Sequence, residues 1–374
     1  MENQTKVILY LLVPVLLSYI LVPICKKIGL KLGIYAVENA RTVHHGKIVR
    51  IGGLAIYLAF MLSMVLFIHP DNTINGILIG GTVVFLSGLI DDMYDLKPKY
   101  KFGLQVIGAI LAIYIGNIQL DFIHLIGLDF SIGFINILVS IIWIAGVSNA
   151  INLIDGLDGL AAGISSIVLI VIAMIGAFMG KADISALSLI LAGSTLGFLK
   201  YNFHPASVFM GDCGALFLGF MIACISLMGF KTSTFITLGF PIIILFVPIS
   251  DTLIAIIRRR ANGQKISEAD RSHLHHILMY KIGFGHKLTV VVLYIVTALF
   301  GLTAIISYFD EVQGMILLII LLFASWIFIE LTGMINPNFH PIIGFMRRTI
   351  KHPQKRPGAF FEANRIKHKQ DLDK

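Results

Sequence analysis

Charged residues are scarce in this 374-residue chain: Asp, Glu, Lys and Arg together make up 13% of positions, about half the share in a soluble domain. That shortage, beside a hydrophobic content of 57%, excludes an ordinary water-dissolved fold. Cysteine is scarcer still. Cys25, Cys213 and Cys224 are scattered, odd in number and near or inside the apolar runs, which leaves a disulfide framework or a zinc site without support and reads as small apolar filling. Low-complexity linkers and internal repeats are also missing, so one domain is expected over residues 1–346. Residues 347–374 are basic and poor in apolar content, as in a flexible cytosolic tail drawn to anionic lipid.

What the chain has in quantity is apolar runs. A membrane span needs about 17 to 25 residues, and runs of about that length fall at 6–24, 52–69, 74–90, 103–120, 132–149, 160–179, 184–200, 213–230, 235–257, 288–308 and 313–334. An all-α, polytopic membrane protein of about eleven helices is the expectation. The first run exceeds a secretory signal's core and lacks a basic leader and a cleavage motif, so it is read as a retained span. With the N-terminus outside and the C-terminus in the cytosol, 26 of the 29 Lys and Arg fall in inside segments, as the positive-inside rule requires. Only Lys6, Lys181 and Lys231 are then external.

The inside loops are long and polar, and function in such proteins follows loops too elaborate to be connectors. The third run ends in Asp91-Asp92-Met93-Tyr94-Asp95. Acids at a helix C-terminus oppose its dipole unless a cation offsets them. A hard divalent ion held by oxygen ligands is the natural one, the bland alternative being a solvated acidic loop balanced by Lys97, Lys99 and Lys101. Asn149, Asn152, Asp155 and Asp158 recur at every third position, so neighbours in the ladder share a helix face. No Lys or Arg lies in that loop, and its carboxylates need a partner from elsewhere.

Asn202 to Gly214 contains Phe209-Met210-Gly211-Asp212, where Asp212 suits either a helix cap or a ligand site flanked by glycine. Asp251 lies deep in the ninth run, as a functional group or as a salt-bridge partner of Arg258 to Arg260. Arg271, His273, His275 and His276 form a cluster suited to anions more than to a transition metal, because Arg is a planar fork for phosphate and a charged His donates from both nitrogens. The first inside loop adds Arg41 and His44, with Gly52-Gly53 at a span entrance allowing close approach.

Together these loops resemble the polyprenyl-phosphate N-acetylhexosamine-1-phosphate transferase family. The resemblance is carried by Asp91-Asp92 with Lys101 and Gln105, the Asn149 to Leu160 loop, Phe209 to Asp212, and His273 to His276, in the family's order and over nearly the whole chain. It implies transfer of a sugar 1-phosphate from a UDP-sugar to a polyprenyl phosphate, with release of UMP, at the cytosolic face of a bacterial plasma membrane. Asp212, with Asp91 and Asp92, would hold Mg²⁺, with Mn²⁺ as a substitute. Asp91, Asp92, Lys101 and Asp155 would be catalytic. Asn149, Asn152, Asp158, Asn202, Phe209, Arg41, His44, Arg271, His273, His275 and His276 would bind substrate, with Asp155 also near the nucleotide.

The Asp270-Arg271-Ser272 lead into the histidines, and Asp95, resemble the branch that uses UDP-N-acetylglucosamine with undecaprenyl phosphate to start teichoic acid or surface polysaccharide. The alternative within the family is the phospho-MurNAc-pentapeptide transferase of peptidoglycan synthesis. Partners are thus the donor, the lipid acceptor and membrane lipid, with a homodimer left open and nucleic acid not expected. Two rivals stand outside the family: a membrane prenyltransferase, because Asp91 to Asp95 is literally DDxxD, and a divalent-cation transporter.

Overall fold

In the computed structural model the described residues are 2–36, 47–119, 133–229, 236–261, 263, 273–335 and 341. They are almost entirely helical, and contacts divide the chain into two compact units, Met1–Leu245 and Phe246–Lys374. The division falls inside the stretch expected as one domain, and the expected tail, residues 347–374, lies outside the described residues.

The first unit contains α1 (Glu2–Leu32), α2 (Gly53–Phe67), α3 (Asn72–Tyr94), α4 (Pro98–Gly116), α5 (Gly133–Ile154), α6 (Leu160–Phe178), α7 (Ala182–Asn202), α8 (Gly211–Gly229) and α9 (Ile236–Ile244). The second contains α10 (Phe246–Ala261), a short α11 (Leu274–His276) that runs into a π-turn over Ile277–Lys281, α12 (His286–Phe309) and α13 (Glu311–Thr332). Among the described residues eight helices are long and apolar enough to cross a membrane, and α2 is a shorter apolar helix. Large apolar side chains such as Val65, Leu66, Val312 and Ile319 are exposed. Water would penalise that surface, whereas lipid tails solvate it.

Two runs depart from expectation for identifiable reasons. The fourth starts at Pro98, five residues early, because proline is at home in a helix's first turn where its missing N–H costs nothing. The ninth is two helices broken at Leu245. Pro248 has no N–H to offer the Ile244 carbonyl, so the helix cannot run through.

Packing in the first unit depends on small residues that let backbones approach. Where α3 meets α4, a Cβ on Gly80 would lie 2.4 Å from the Gly108 carbonyl oxygen, and one on Gly76 would lie 2.3 Å from the Gly116 nitrogen. α8 sits in the interior of this unit, and nearly all its residues are buried. It takes Gly88 of α3 against Asp212 and Cys213, Gly53 of α2 against Gly214, and Ser148 of α5 against Gly219. The three cysteines are free and buried, as expected of apolar fillers.

Two short extended pieces add the remaining structure. Tyr35–Ala36 pairs antiparallel with Ile48–Val49, and Val49 also bridges in parallel to Val208.

Candidate active site

Chain direction alternates through the first unit, so the ends of α3, α5 and α7 meet the beginnings of α2, α4, α6 and α8. Asp91 and Asp92 end α3 and are buried. Beyond them Asp95 turns the chain in the left-handed region, φ 48°, and its N–H caps the Asp91 carbonyl. Asp95 itself is exposed, so the three acids of the DDxxD pattern do not form one ligand set.

The two neighbouring carboxylates have different partners. Asp92 Oδ1 accepts from the Asp212 backbone N–H at 3.0 Å, and Oδ2 accepts from the Cys213 N–H at 3.0 Å. It therefore caps α8 from another helix, supplying negative charge where the first-turn amides are unpaired. Asp91 Oδ1 accepts from the Leu96 N–H at 2.7 Å, while Oδ2 receives Lys101 Nζ at 3.2 Å. Lys101 also donates to Asp212 Oδ2, and Asn152 Nδ2 reaches that same oxygen at 3.3 Å. Asp91 and Asp212, far apart in the chain, thus share one ammonium group.

The arrangement survives because of the loop before α8. Gly211 has φ +74°, and a Cβ there would lie 1.8 Å from the Arg50 carbonyl oxygen and 2.5 Å from Asp92 Oδ2. Only glycine meets both demands. Residues 49–53 are laced to 209–210 by Phe209 N–H to the Val49 carbonyl (2.8 Å), Gly52 N–H to the Phe209 carbonyl (2.9 Å) and Gly53 N–H to the Met210 carbonyl (2.8 Å). Phe209 is half-buried beside this lacing.

The asparagine ladder is also divided. Asn149 donates to Gln105 Oε1 and to the Ala145 carbonyl. Asn152 faces Asp212, as above. Asn202, expected to hold the nucleotide, is buried with both ends of its amide used: Oδ1 accepts from the Gly159 N–H and Nδ2 donates to the Val208 carbonyl, each at 3.0 Å. Asp158 lies 2.8 Å from His204 Nδ1 and accepts from the Ala206 N–H at 3.1 Å, which ties the α5–α6 loop to the α7–α8 loop. Asp155 is pushed up to about 7, first by burial and then by the negative charges of Asp212, Asp92 and Asp158.

Within the second unit, Asp251 is buried and takes His273 Nδ1 on Oδ2 at 3.0 Å and the Leu274 N–H on Oδ1 at 2.7 Å. Of the two readings of Asp251, the salt bridge to the arginines is not the one that forms among the described residues: Arg258 donates to the Met334 carbonyl at 3.0 Å. His275 stacks on His273 and lies tilted against His276. Its imidazole is held down to about 3, first by burial and next by the charge of His276. Burial thus disfavours the charged, doubly donating form of His275. Asp251 also borders a cavity of about 290 Å³ whose other walls include Phe246, Leu293, Phe300 and Phe328. Arg41, His44 and Arg271 lie outside the described residues.

Sequence reasoning did not single out Arg50 or His204 as site residues. Arg50 Nη2 lies 3.8 Å from Asp92 Oδ1. Its signal was a guanidinium next to the Gly52-Gly53 entrance, and that of His204 was an imidazole in the loop leading to Asp212.

Residues 74–230 match the family described as glycosyl transferase family 4. A probable undecaprenyl-phosphate N-acetylglucosaminyl 1-phosphate transferase of Bacillus subtilis (strain 168) is 40% identical over 94% of this chain and 99% of its own length. The chain belongs to glycosyl transferase family 4. A decaprenyl-phosphate N-acetylglucosaminephosphotransferase of Mycobacterium leprae is 32% identical over 76% of this chain and 79% of its own. A phospho-N-acetylmuramoyl-pentapeptide-transferase of Caldicellulosiruptor bescii is 31% identical over 81% and 97%. The family 4 match spans the Asp91, Lys101, Asn152 and Asp212 constellation entirely. As a member of this family the protein is an enzyme, a transferase with several membrane helices.

Proposed function

We propose that this family 4 enzyme transfers N-acetylglucosamine 1-phosphate from UDP-N-acetylglucosamine to undecaprenyl phosphate, giving the lipid diphosphate sugar and UMP. The observation that carries the reading is the meeting of Asp91, Asp212, Lys101 and Asn152 at one end of the first unit. The 40% identity to the Bacillus protein over nearly both chains supports the donor and acceptor.

In the reaction an oxygen of the lipid phosphate attacks the β-phosphorus in line. A new phosphorus–oxygen bond forms, the bond from the β-phosphorus to the bridging oxygen breaks, and UMP departs. Both substrates are polyanions, so catalysis lies chiefly in positioning and charge compensation. Asp91 and Asp212 fit a Mg²⁺ ion, because they are hard oxygen donors close enough to share one cation already. Bound there, Mg²⁺ would neutralise diphosphate charge and stabilise the leaving UMP. Lys101 holds the two carboxylates in register. Asp155 accepts the proton of a monoanionic lipid phosphate, its own proton affinity being matched to neutral pH. Asp92, with each oxygen engaged by a backbone amide, serves as the brace of α8. In the second unit, His273 and His276 are assigned to anionic substrate groups, with Asp251 fixing the His273 ring.

An eleven-span topology, N-terminus outside, belongs to the same proposal. The eight long helices, α2, α4 and the broken pair α9 and α10 would make up that number. The polar loops would then face the cytosol. Purified protein assayed with UDP-N-acetylglucosamine and UDP-MurNAc-pentapeptide side by side, following UMP release on undecaprenyl phosphate, tests the reading. Turnover of the first donor alone supports it, and turnover of the second alone would replace it with the peptidoglycan reaction.

A further inference from the structure

The cations near the acidic cluster are not equivalent. Lys101 sits between two carboxylates, Asp91 and Asp212, so most of its charge and two of its three donors are already used. Arg50 is placed differently. Its side chain is 37% exposed and, among the described residues, its one ion pair is with Asp92, at 3.8 Å. That is an ion contact beyond hydrogen-bond range. Asp92 in turn has both oxygens engaged by the Asp212 and Cys213 amides. Among the described residues Arg50 thus keeps the hydrogen-bonding capacity of its guanidinium.

Its backbone is fixed as firmly as that of the acids. Val49 is bridged to Val208, Gly52 and Gly53 donate to Phe209 and Met210, and the Arg50 carbonyl packs on Gly211, one residue before Asp212. A planar fork of donors is therefore anchored at the rim of the acidic cluster, and its side chain reaches solvent.

We propose that Arg50 is a phosphate-binding residue of this enzyme, gripping a phosphate group of one substrate beside the Asp91 and Asp212 carboxylates. The ligand chemistry is a phosphate oxyanion pair, matched by two parallel N–H donors. Its source is either the acceptor lipid's monophosphate or the donor's diphosphate. The assignment rests on the transfer reaction above and deepens it, by naming a second cation whose donors are still available to substrate.

Steady-state kinetics of wild type, Arg50→Lys and Arg50→Gln, varying undecaprenyl phosphate and UDP-N-acetylglucosamine separately, with melting temperature measured on the same samples, test this. Arg50→Lys keeps the charge facing Asp92 and loses the fork. The expected result is a rise of about tenfold in KM for one of the two substrates in Arg50→Lys, and more in Arg50→Gln, the affected substrate naming the phosphate. KM values within twofold of wild type for both substrates in Arg50→Lys would overturn the proposal. So would a lowered melting temperature with both KM values unchanged, which is the signature of a brace for Asp92. An inactive wild type would count against the transfer reaction itself, whereas an active wild type beside unaffected variants would count against Arg50 alone.

Discussion

The backbone N–H of Asp212 donates to Asp92 Oδ1 at 3.0 Å, tying the last turn of α3 to the first turn of α8 across 120 residues of chain. This bond orients the α8 terminus, and with it the Asp212 carboxylate that meets Lys101 and Asn152. It also separates the roles of two acids that are adjacent in sequence.

Asp92→Asn is accordingly expected to act mainly on stability. Losing the carboxylate acceptor for two amides should cost about 2 kcal/mol. Thermal unfolding in detergent would show the loss, and activity per folded molecule should fall less than in Asp91→Asn.

For Asp212→Ala and Asp91→Ala the expectation is the reverse. Activity should drop by at least about a thousandfold, as when charge-stabilising groups are removed from an active site, while the protein still inserts and elutes as wild type. Chelation by EDTA should stop wild-type UMP release, and added Mg²⁺ should restore it.

The proposed role of Asp155 as proton acceptor predicts the sign of a pH dependence. With its carboxyl raised to about 7 by burial and by its acidic neighbours, it is protonated below that pH and cannot act as a base. The rate should therefore rise as pH increases through about 7, and Asp155→Asn should be slow at all pH values. Stability moves the other way. The folded state binds the extra proton, so the Asp155 contribution is full below about 3.9 and is lost as pH rises through about 7.

Gly211→Ala should fail to assemble the site. The left-handed backbone and a Cβ placed 1.8 Å from the Arg50 carbonyl oxygen together predict a loss of more than about 2 kcal/mol. Expression level and melting temperature in detergent would report it.

Much of this was readable in the chain. Apolar runs mark the helices because lipid demands length and hydrophobicity, and the four polar motifs are the places where those runs end. What a one-dimensional pattern could not supply is pairing. The sequence pattern does not show that Asp92 accepts from two amides of α8, or that Gly159 and Val208 engage both ends of the Asn202 amide. Asp251 lies within two turns of three arginines in sequence, yet its partner is His273, brought to it by the fold. The break at Leu245 was legible in principle, since Pro248 forbids a continuous helix there.

The central claim is that Asp91 and Asp212 form one cation site with the donor's diphosphate, while Asp92 does not ligate. Mn²⁺ bound to the purified enzyme with UDP-N-acetylglucosamine can be followed directly by electron paramagnetic resonance. The account predicts tight Mn²⁺ binding in wild type and in Asp92→Asn, and its loss in Asp91→Ala and Asp212→Ala. Wild-type affinity retained in Asp212→Ala, or abolished in Asp92→Asn while that variant stays folded, would contradict it.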